Sequence, residues 1–470
     1  MNCMRFVGML MLSVVLASCN CGTKTAVNEF IEDGWSYKAD IQPGAESFDE
    51  YVELLKGKKV CFLSNQTGLV VKDGSLEGRI KAAQTGDMNL YTHVVDTLIS
   101  QGVDIVCLMS PEHGFRGTAD AGEHVASSVD ELTGIPIRSL YGAQMSEEEQ
   151  MSGFDVMLFD LQDVGARFYT YYVTMVKMMA KCAKYNIPFI VLDRPNPVGF
   201  YTDGTILDRK FKSGVGGLPI PTIHGMTMGE IAQMANGEGW LEFLGTEDWT
   251  PNKELKCDLT VIKCKNYTHA DHYKLPVKPS PNLPNMRSIY LYPSICYFEA
   301  TEVSLGRGTE APFQIYGAPE MQGGKSAVTK ADYEFTFTPD STFGAKNPPR
   351  KKELCYGVDL RKDLTLDEIN KAQIDLSYII DAYVGSGAEG DKFFRSFFER
   401  EIGKAYVREM IINEVEAVKA SLTEKNGTEP TKVELAEAVD AKGIAKKISE
   451  SWQPEVEAFK KARQPYMLYE

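Results

Sequence analysis

Ser110-Pro111-Glu112-His113-Gly114-Phe115-Arg116-Gly117 sets a carboxyl, an imidazole and a guanidinium side by side between a proline and a glycine. Those are the parts of acid–base chemistry on a charged ligand: Glu112 to donate a proton, His113 to position or tune it, Arg116 to hold an anion. A second stretch, Asp160-Leu161-Gln162-Asp163-Val164-Gly165-Ala166-Arg167, supplies two more carboxyls and an arginine, and Tyr169, Tyr171 and Tyr172 crowd its end. A third, Asp193-Arg194-Pro195-Asn196-Pro197, and a fourth, Ser64-Asn65-Gln66-Thr67-Gly68, are polar loops of the same kind.

Carboxylates with aromatic and arginine neighbours are the equipment of a glycosidase. One carboxylic acid protonates the leaving oxygen, and a second carboxylate, or the substrate's own acetamido group, assists at the anomeric carbon. Glu112, beside apolar strand ends, is the candidate acid, since such surroundings raise a carboxyl pKa. Asp160, Asp163, Asp193 and Glu299 are the candidates for the second role. Each residue also has a plainer reading: Asp193 holding its own turn through backbone N–H groups, Asp163 pairing with Arg167, Glu112 anchoring its loop. Tyr169 can stack on a sugar ring, although aromatic residues so spaced also serve as core. The forks of Arg116, Arg167, Arg194 and Arg307 suit a carboxylate on the ligand, which points to an acidic sugar. Asn65, and His224 in the segment Pro221 to Thr227, complete the candidate substrate contacts.

Other chemistries fail on specific residues. Gly214 and Gly216 begin a dinucleotide fingerprint, but Pro219 stands where its third glycine belongs. Gly324-Lys325-Ser326 ends like a phosphate-binding loop, but Pro319 replaces its first glycine. No serine sits in a nucleophile elbow or is followed three residues later by lysine. Six histidines without an HExxH motif argue against a metal centre, although His269, Asp271 and His272 lie close in sequence. No cofactor and no metal are expected. A net charge of −15 and a pI near 5.1 leave no basic footprint for nucleic acid. The ten cysteines form no framework, so no essential disulfide is expected, although Cys257 and Cys264 could pair across a hairpin.

The polar loops must be held by something, and each follows a short apolar run. Lys58 to Leu63, Val103 to Met109, Ile135 to Tyr141, Asp155 to Phe159 and Pro188 to Leu192 read as strands. Phe48 to Leu55, His93 to Ser100 and Tyr172 to Tyr185 have helical spacing between them. That alternation predicts an α/β fold, a Rossmann-like parallel sheet whose strand ends bring the four loops into one crevice. At 470 residues two domains are expected, a Rossmann-like catalytic domain over 46–205 and a second α+β domain over 206–470. Long ordered loops should fill its first half. Helices are expected over 366–384, 393–402, 406–422, 433–448 and 455–463, their charged residues solvated.

The first residues look like a targeting segment. Arg5, the apolar stretch Val7 to Ala17 and the lipobox-like Leu16-Ala17-Ser18-Cys19 predict a lipoprotein signal over 1–19, with Cys19 lipidated and 20–45 as a tether. The apolar stretch is too short to span a bilayer. A lipid-held protein of the cell envelope, periplasmic in the sense of lying outside the cytoplasm, would have the membrane as a partner through that lipid.

Several of these motifs resemble one family. Residues 110 to 117, Asp160 to Tyr171 and Leu192 to Pro197, followed by Gly217 to Thr227, Pro279 to Pro284 and Ser304 to Thr309, are similar to the NamZ family of exo-β-N-acetylmuramidases over about 48–470. The resemblance implies an enzyme that removes terminal N-acetylmuramic acid from the non-reducing ends of peptidoglycan fragments, its catalytic glutamate falling on Glu112. It departs at Glu299-Ala300-Thr301-Glu302, where many relatives read Glu-Gly-Thr-Asn. Two competing readings are a lipoprotein that binds cell-wall sugars without cleaving them and a hydrolase of another muropeptide bond.

Overall fold

The computed structural model describes residues 28–111, 115, 128–140, 145–243, 250–362 and 373–470. Cys19, Glu112, His113 and Arg116, and with them the signal segment, lie outside the described residues.

The sheet is built from runs that are apolar on both faces. Its strands are β1 (Lys59–Ser64), β2 (Asp104–Ser110), β3 (Ser128–Val129), β4 (Pro136–Ser139), β5 (Val156–Asp160), β6 (Phe189–Leu192) and β7 (Leu259–Ile262). Every residue of β5 and β6 is buried, as parallel strands covered on both sides require. Alternate residues enter different cores. Val60, Phe62, Leu158 and Ile190 join one with Tyr51, Leu55, Val94 and Leu98, whereas Cys61, Leu63, Phe159 and Val191 join another with Met175, Met179 and Ile231. The helices Phe48–Leu55 and Val94–Ser100 therefore cover one face, and α1 (Tyr171–Tyr185) and α2 (Met228–Glu238) the other.

Strand order is β7-β6-β5-β1-β2-β4-β3, all parallel except the edge pair β3–β4. The chain starts in the middle at β1, builds outward through β2 and β4, then returns to β1's other side with β5. The order therefore reverses at β1, where the loops on either side diverge and leave a crevice beyond the strand ends. The sheet draws on chain past 205, where the sequence divides the domains, because β7 pairs in parallel with β6. That strand carries only one buried residue, so no apolar run announced it.

The second half is α+β. A three-stranded antiparallel sheet (Ile315–Ala318, Phe335–Phe337, Cys355–Asp359) lies among long ordered loops, and helices follow. Two expectations are corrected. Residues 28–45 are not a free tether: the hairpin Glu29–Glu32 with Trp35–Lys38 and the segment after it bury Trp35, Tyr37 and Ile41 in the main core. The helices expected over 433–448 and 455–463 instead break at 439–440 and then run unbroken as α3 (Ala441–Arg463) through Pro454. Ile444, Ile448, Trp452, Val456 and Phe459 make one buried stripe across the proline, and that burial outweighs the missing backbone hydrogen bond.

Candidate active site

All four loops meet at the reversal point. Gln162 of the loop after β5 donates its N–H to Thr67 Oγ1 (3.0 Å) of the loop after β1, and its Nε2 to Pro195 O (2.8 Å) of the loop after β6. The loop after β2 contributes Phe115, buried with its ring 5.0 Å from that of His93, whose Nε2 bonds Asn65 O at 2.8 Å. A fifth segment closes the wall: Pro279 O accepts from Gln66 Nε2 (3.1 Å) and Tyr169 Oη (2.9 Å).

Four polar side-chain atoms in these loops, Gln66 Oε1, Ser110 Oγ, Gln162 Oε1 and Asp163 Oδ2, are buried with no hydrogen-bond partner among the described residues. Buried polar atoms are nearly always paired, so their gathering at one place marks where a ligand's polar groups can dock. Asp163 is the most telling. Its Oδ1 accepts from Gly165 N at 2.7 Å, in a turn that needs Gly165 at φ 80°, while Oδ2 stays free. Burial pushes its carboxyl up to about 7, against two backbone hydrogen bonds that oppose the rise. Near neutral pH such a group can hold or release a proton, which suits acid–base chemistry.

The arginines are corrected. Arg167 does not pair with Asp163 and offers no fork to a ligand: it is fully buried and clamps the backbone carbonyls of Thr205, Ile220 and Glu401 at 2.5, 2.9 and 2.8 Å. Arg194 grips Asp160 through two hydrogen bonds, Nη2 to Oδ2 at 2.9 Å, and also bonds Leu69 O at 3.0 Å. Both serve the scaffold, and Asp160 is thereby removed as a second carboxylate.

Asp193 and Asn65 are scaffold as well. Asp193 accepts from Thr227 Oγ1 (2.7 Å), Tyr469 Oη (2.7 Å), Gly229 N (2.8 Å) and Arg194 N (3.0 Å), the plainer reading of that motif. Asn65 donates to Tyr171 Oη at 2.8 Å and receives the Thr67 N–H and hydroxyl, so it braces its own loop. His224 is 1 % exposed, its Nδ1 accepting from Met226 N at 3.1 Å. Burial, with the Arg463 charge behind it, pushes this imidazole down to about 3, so it is neutral.

Glu299 and Arg307 form a partly exposed ion pair at 2.6 Å. The rings of Phe313, Tyr292 and Tyr169 run from it to the crevice, Arg307 lying 5.4 Å from the first and the rings 5.0 and 6.2 Å apart. Beneath the pair sits a residue the sequence did not single out. Glu401 belongs to a charged helical stretch that reads as solvated, yet it is 1 % exposed and its Oε2 has no partner among the described residues. Cys296, Glu299 and Glu401 each offer an atom within 4.8 Å of the others. Burial, then the Glu299 charge, push the Glu401 carboxyl well above its ordinary value, against the pull of the Arg307 charge. No local signal could have brought 299 and 401 together.

Comparison with known proteins now bears on this geometry. Models of "Exo-beta-N-acetylmuramidase NamZ", N-terminal and C-terminal, match residues 80–287 and 290–429. A peptidoglycan β-N-acetylmuramidase NamZ of Bacillus subtilis (strain 168) is 32% identical over 444 residues, 92% of each chain. The crystal structure of a DUF1343 family protein from Bacteroides fragilis NCTC 9343 superposes with a TM-score of 0.71 at 44% identity, covering 92% of this chain and 99% of that one. Another DUF1343 structure from that organism, at 24% identity and a TM-score of 0.64, shares the fold across 92% of this chain and 100% of its own.

Proposed function

Because the chain belongs to the NamZ family of exo-β-N-acetylmuramidases, and so is a glycoside hydrolase, we propose that it releases terminal N-acetylmuramic acid from the non-reducing ends of peptidoglycan fragments with Glu112 as general acid. The observation that carries this reading is the set of buried polar atoms at the sheet's reversal point that have no partner among the described residues, with Asp163 Oδ2 among them. Pro111, the residue before Glu112, is buried at the end of β2, and Phe115 beyond it is buried against His93. Glu112 protonates the glycosidic oxygen, His113 positions it, and Asp163 holds or exchanges a proton through its free oxygen. With Arg167 and Arg194 engaged by the scaffold, Arg307 is the described cation left for the lactyl carboxylate, which would take the place of Glu299 on the guanidinium.

The test is turnover of a chromogenic N-acetylmuramide. Release of free sugar is expected from the wild type, and Glu112→Gln should remain folded and lose about 10³-fold or more, a general acid's share with its positioning. Near-normal turnover by that variant, or tight binding of the muramide by the wild type without any release, sinks the reading. Mass analysis of products from a defined disaccharide separates glycosidic cleavage from attack on the lactyl ether or the stem peptide.

The same proposal places the protein on the membrane by a lipid on Cys19. Among the described residues no helix is long and apolar enough to cross a bilayer. Cys19→Ala should move the protein from the membrane to the soluble fraction of a cell lysate, and retention in the membrane would refute the anchor.

A further inference from the structure

A cavity of about 540 Å³, lined by no residue of the four crevice loops, lies between Gly199–Asp203, His269–Ala270 and α3. Its walls carry Lys460 and Arg463, three residues apart in the last turn of that helix. Arg463 turns Nη1 onto the carbonyls of His224 and Gly225, the second at 3.0 Å, and meets no carboxylate among the described residues. Its charge is largely withdrawn from water, and burial lowers its pKa. Glu230 is the carboxylate whose charge reaches this guanidinium, from beyond ion-pair distance, so the face turned to the cavity is open to an anion.

Other lining groups point the same way. Thr202 is 7 % exposed, yet its Oγ1 has no hydrogen-bond partner among the described residues. His269 bonds Glu230 through Nε2 at 2.9 Å, while its Nδ1 is buried without a partner. Among the described residues the one carboxylate in the wall, Asp203, is already engaged: Trp452 Nε1 and Gln453 Nε2 donate to Oδ1 at 2.7 and 3.0 Å, and Ile374 N to Oδ2 at 2.8 Å. Lys460 also reaches Glu457 on its own helix at 2.8 Å, an exposed pair that an incoming anion can displace at little cost. Phe200 supplies an apolar wall, and the volume falls in the range of small-molecule sites.

We propose that this cavity is a second ligand site, taking a sugar-sized oxyanion whose charged group sits between Arg463 and Lys460, with hydroxyls on Thr202 and His269 and its ring against Phe200. Both cations lie beyond residue 429, where the family match ends. The site therefore does not follow from the hydrolase reading, and it stands or falls separately.

Calorimetric titration of the full chain tests it, with N-acetylmuramic acid and inorganic phosphate as probes and uncharged N-acetylglucosamine as control. Saturable binding of at least one anion is expected in the wild type and equally in Glu112→Gln. Lys460→Gln, Thr202→Val and Arg463→Gln should each weaken it tenfold or more, the first two at unchanged unfolding midpoint, and the control should not bind there. Binding of the sugar acid alone identifies a carboxylate ligand, and binding of phosphate identifies a phosphorylated or inorganic one. The proposal is overturned if neither anion binds, if neither Lys460→Gln nor Thr202→Val weakens any binding event, or if every binding event disappears in Glu112→Gln, which would place it in the crevice.

Discussion

Asp163 and Asp193 occupy matching places, each just beyond the carboxyl end of a central strand, and burial raises both, to about 7 and about 6. Their partners differ. Asp193 is ringed by four donors, one from the next residue and three from two distant parts of the chain, and both of its oxygens are taken. Among the described residues Asp163 accepts only from backbone N–H groups, and one of its oxygens has no hydrogen-bond partner. Two aspartates that look alike in sequence thus differ: one is a fastener, the other keeps an oxygen open for the proton exchange proposed for it, and what separates them is the count of donors rather than the depth of burial.

That contrast can be broken in four ways. The largest effect is expected from Asp163→Asn, which should cut turnover of the chromogenic muramide by about 10²- to 10⁴-fold while leaving the urea midpoint at pH 5 intact. Activity within a few-fold of wild type would erase the distinction. Asp193→Ala should do the reverse. It strands the Thr227 and Tyr469 hydroxyls and two backbone N–H groups, so urea unfolding should show a loss of about 4 kcal/mol, with turnover per folded molecule largely kept. A loss under about 1 kcal/mol would mean those donors find other partners.

The pH dependence of stability sharpens the comparison further. Folded Asp163 keeps its proton up to about 7, whereas an unfolded aspartic acid loses it near 3.8. Between those values the native state binds more protons than the unfolded one, so this group's contribution is full below about pH 4 and is lost as pH rises through about 7. Urea midpoints at pH 5 and pH 8 should therefore differ less in Asp163→Asn than in the wild type, although Asp193 leaves part of the slope in both. Equal differences would contradict the raised carboxyl. The smallest effect belongs to Tyr171→Phe, which removes the acceptor for Asn65 Nδ2 and should cost about 1 kcal/mol in the same assay.

The sheet was legible because its strands are apolar runs closed by polar loops: β1, β2, β5 and β6 fall within one residue of where the sequence puts them. Convergence of the loops followed from strand order, which hydrophobic pattern and chain alternation imply together. The roles of individual polar residues did not follow. Arg167 looks like a ligand fork until Thr205, Ile220 and Glu401 are seen around it, and those carbonyls come from as far as 234 residues away. In sequence Arg194 and Asp160 look like two separate offers to a substrate, whereas in the fold each is the other's partner. The hairpin at 29–38 was hidden by polar neighbours, its burial resting on Trp35 and Tyr37 alone. Long-range pairing of polar atoms leaves no periodic trace, so a sequence shows which groups are present and not which are already engaged.

The hydroxyl of Tyr469 carries one last implication. It donates to Asp193 and accepts from Cys264 N at 2.9 Å, so it ties the segment after β7 to the loop after β6. A growing polypeptide shorter than 469 residues lacks that knot, and the edge of the sheet stays loose until synthesis reaches it. Removing residues beyond 468 should therefore delay the closing of the edge during refolding, long after the interior strands have met.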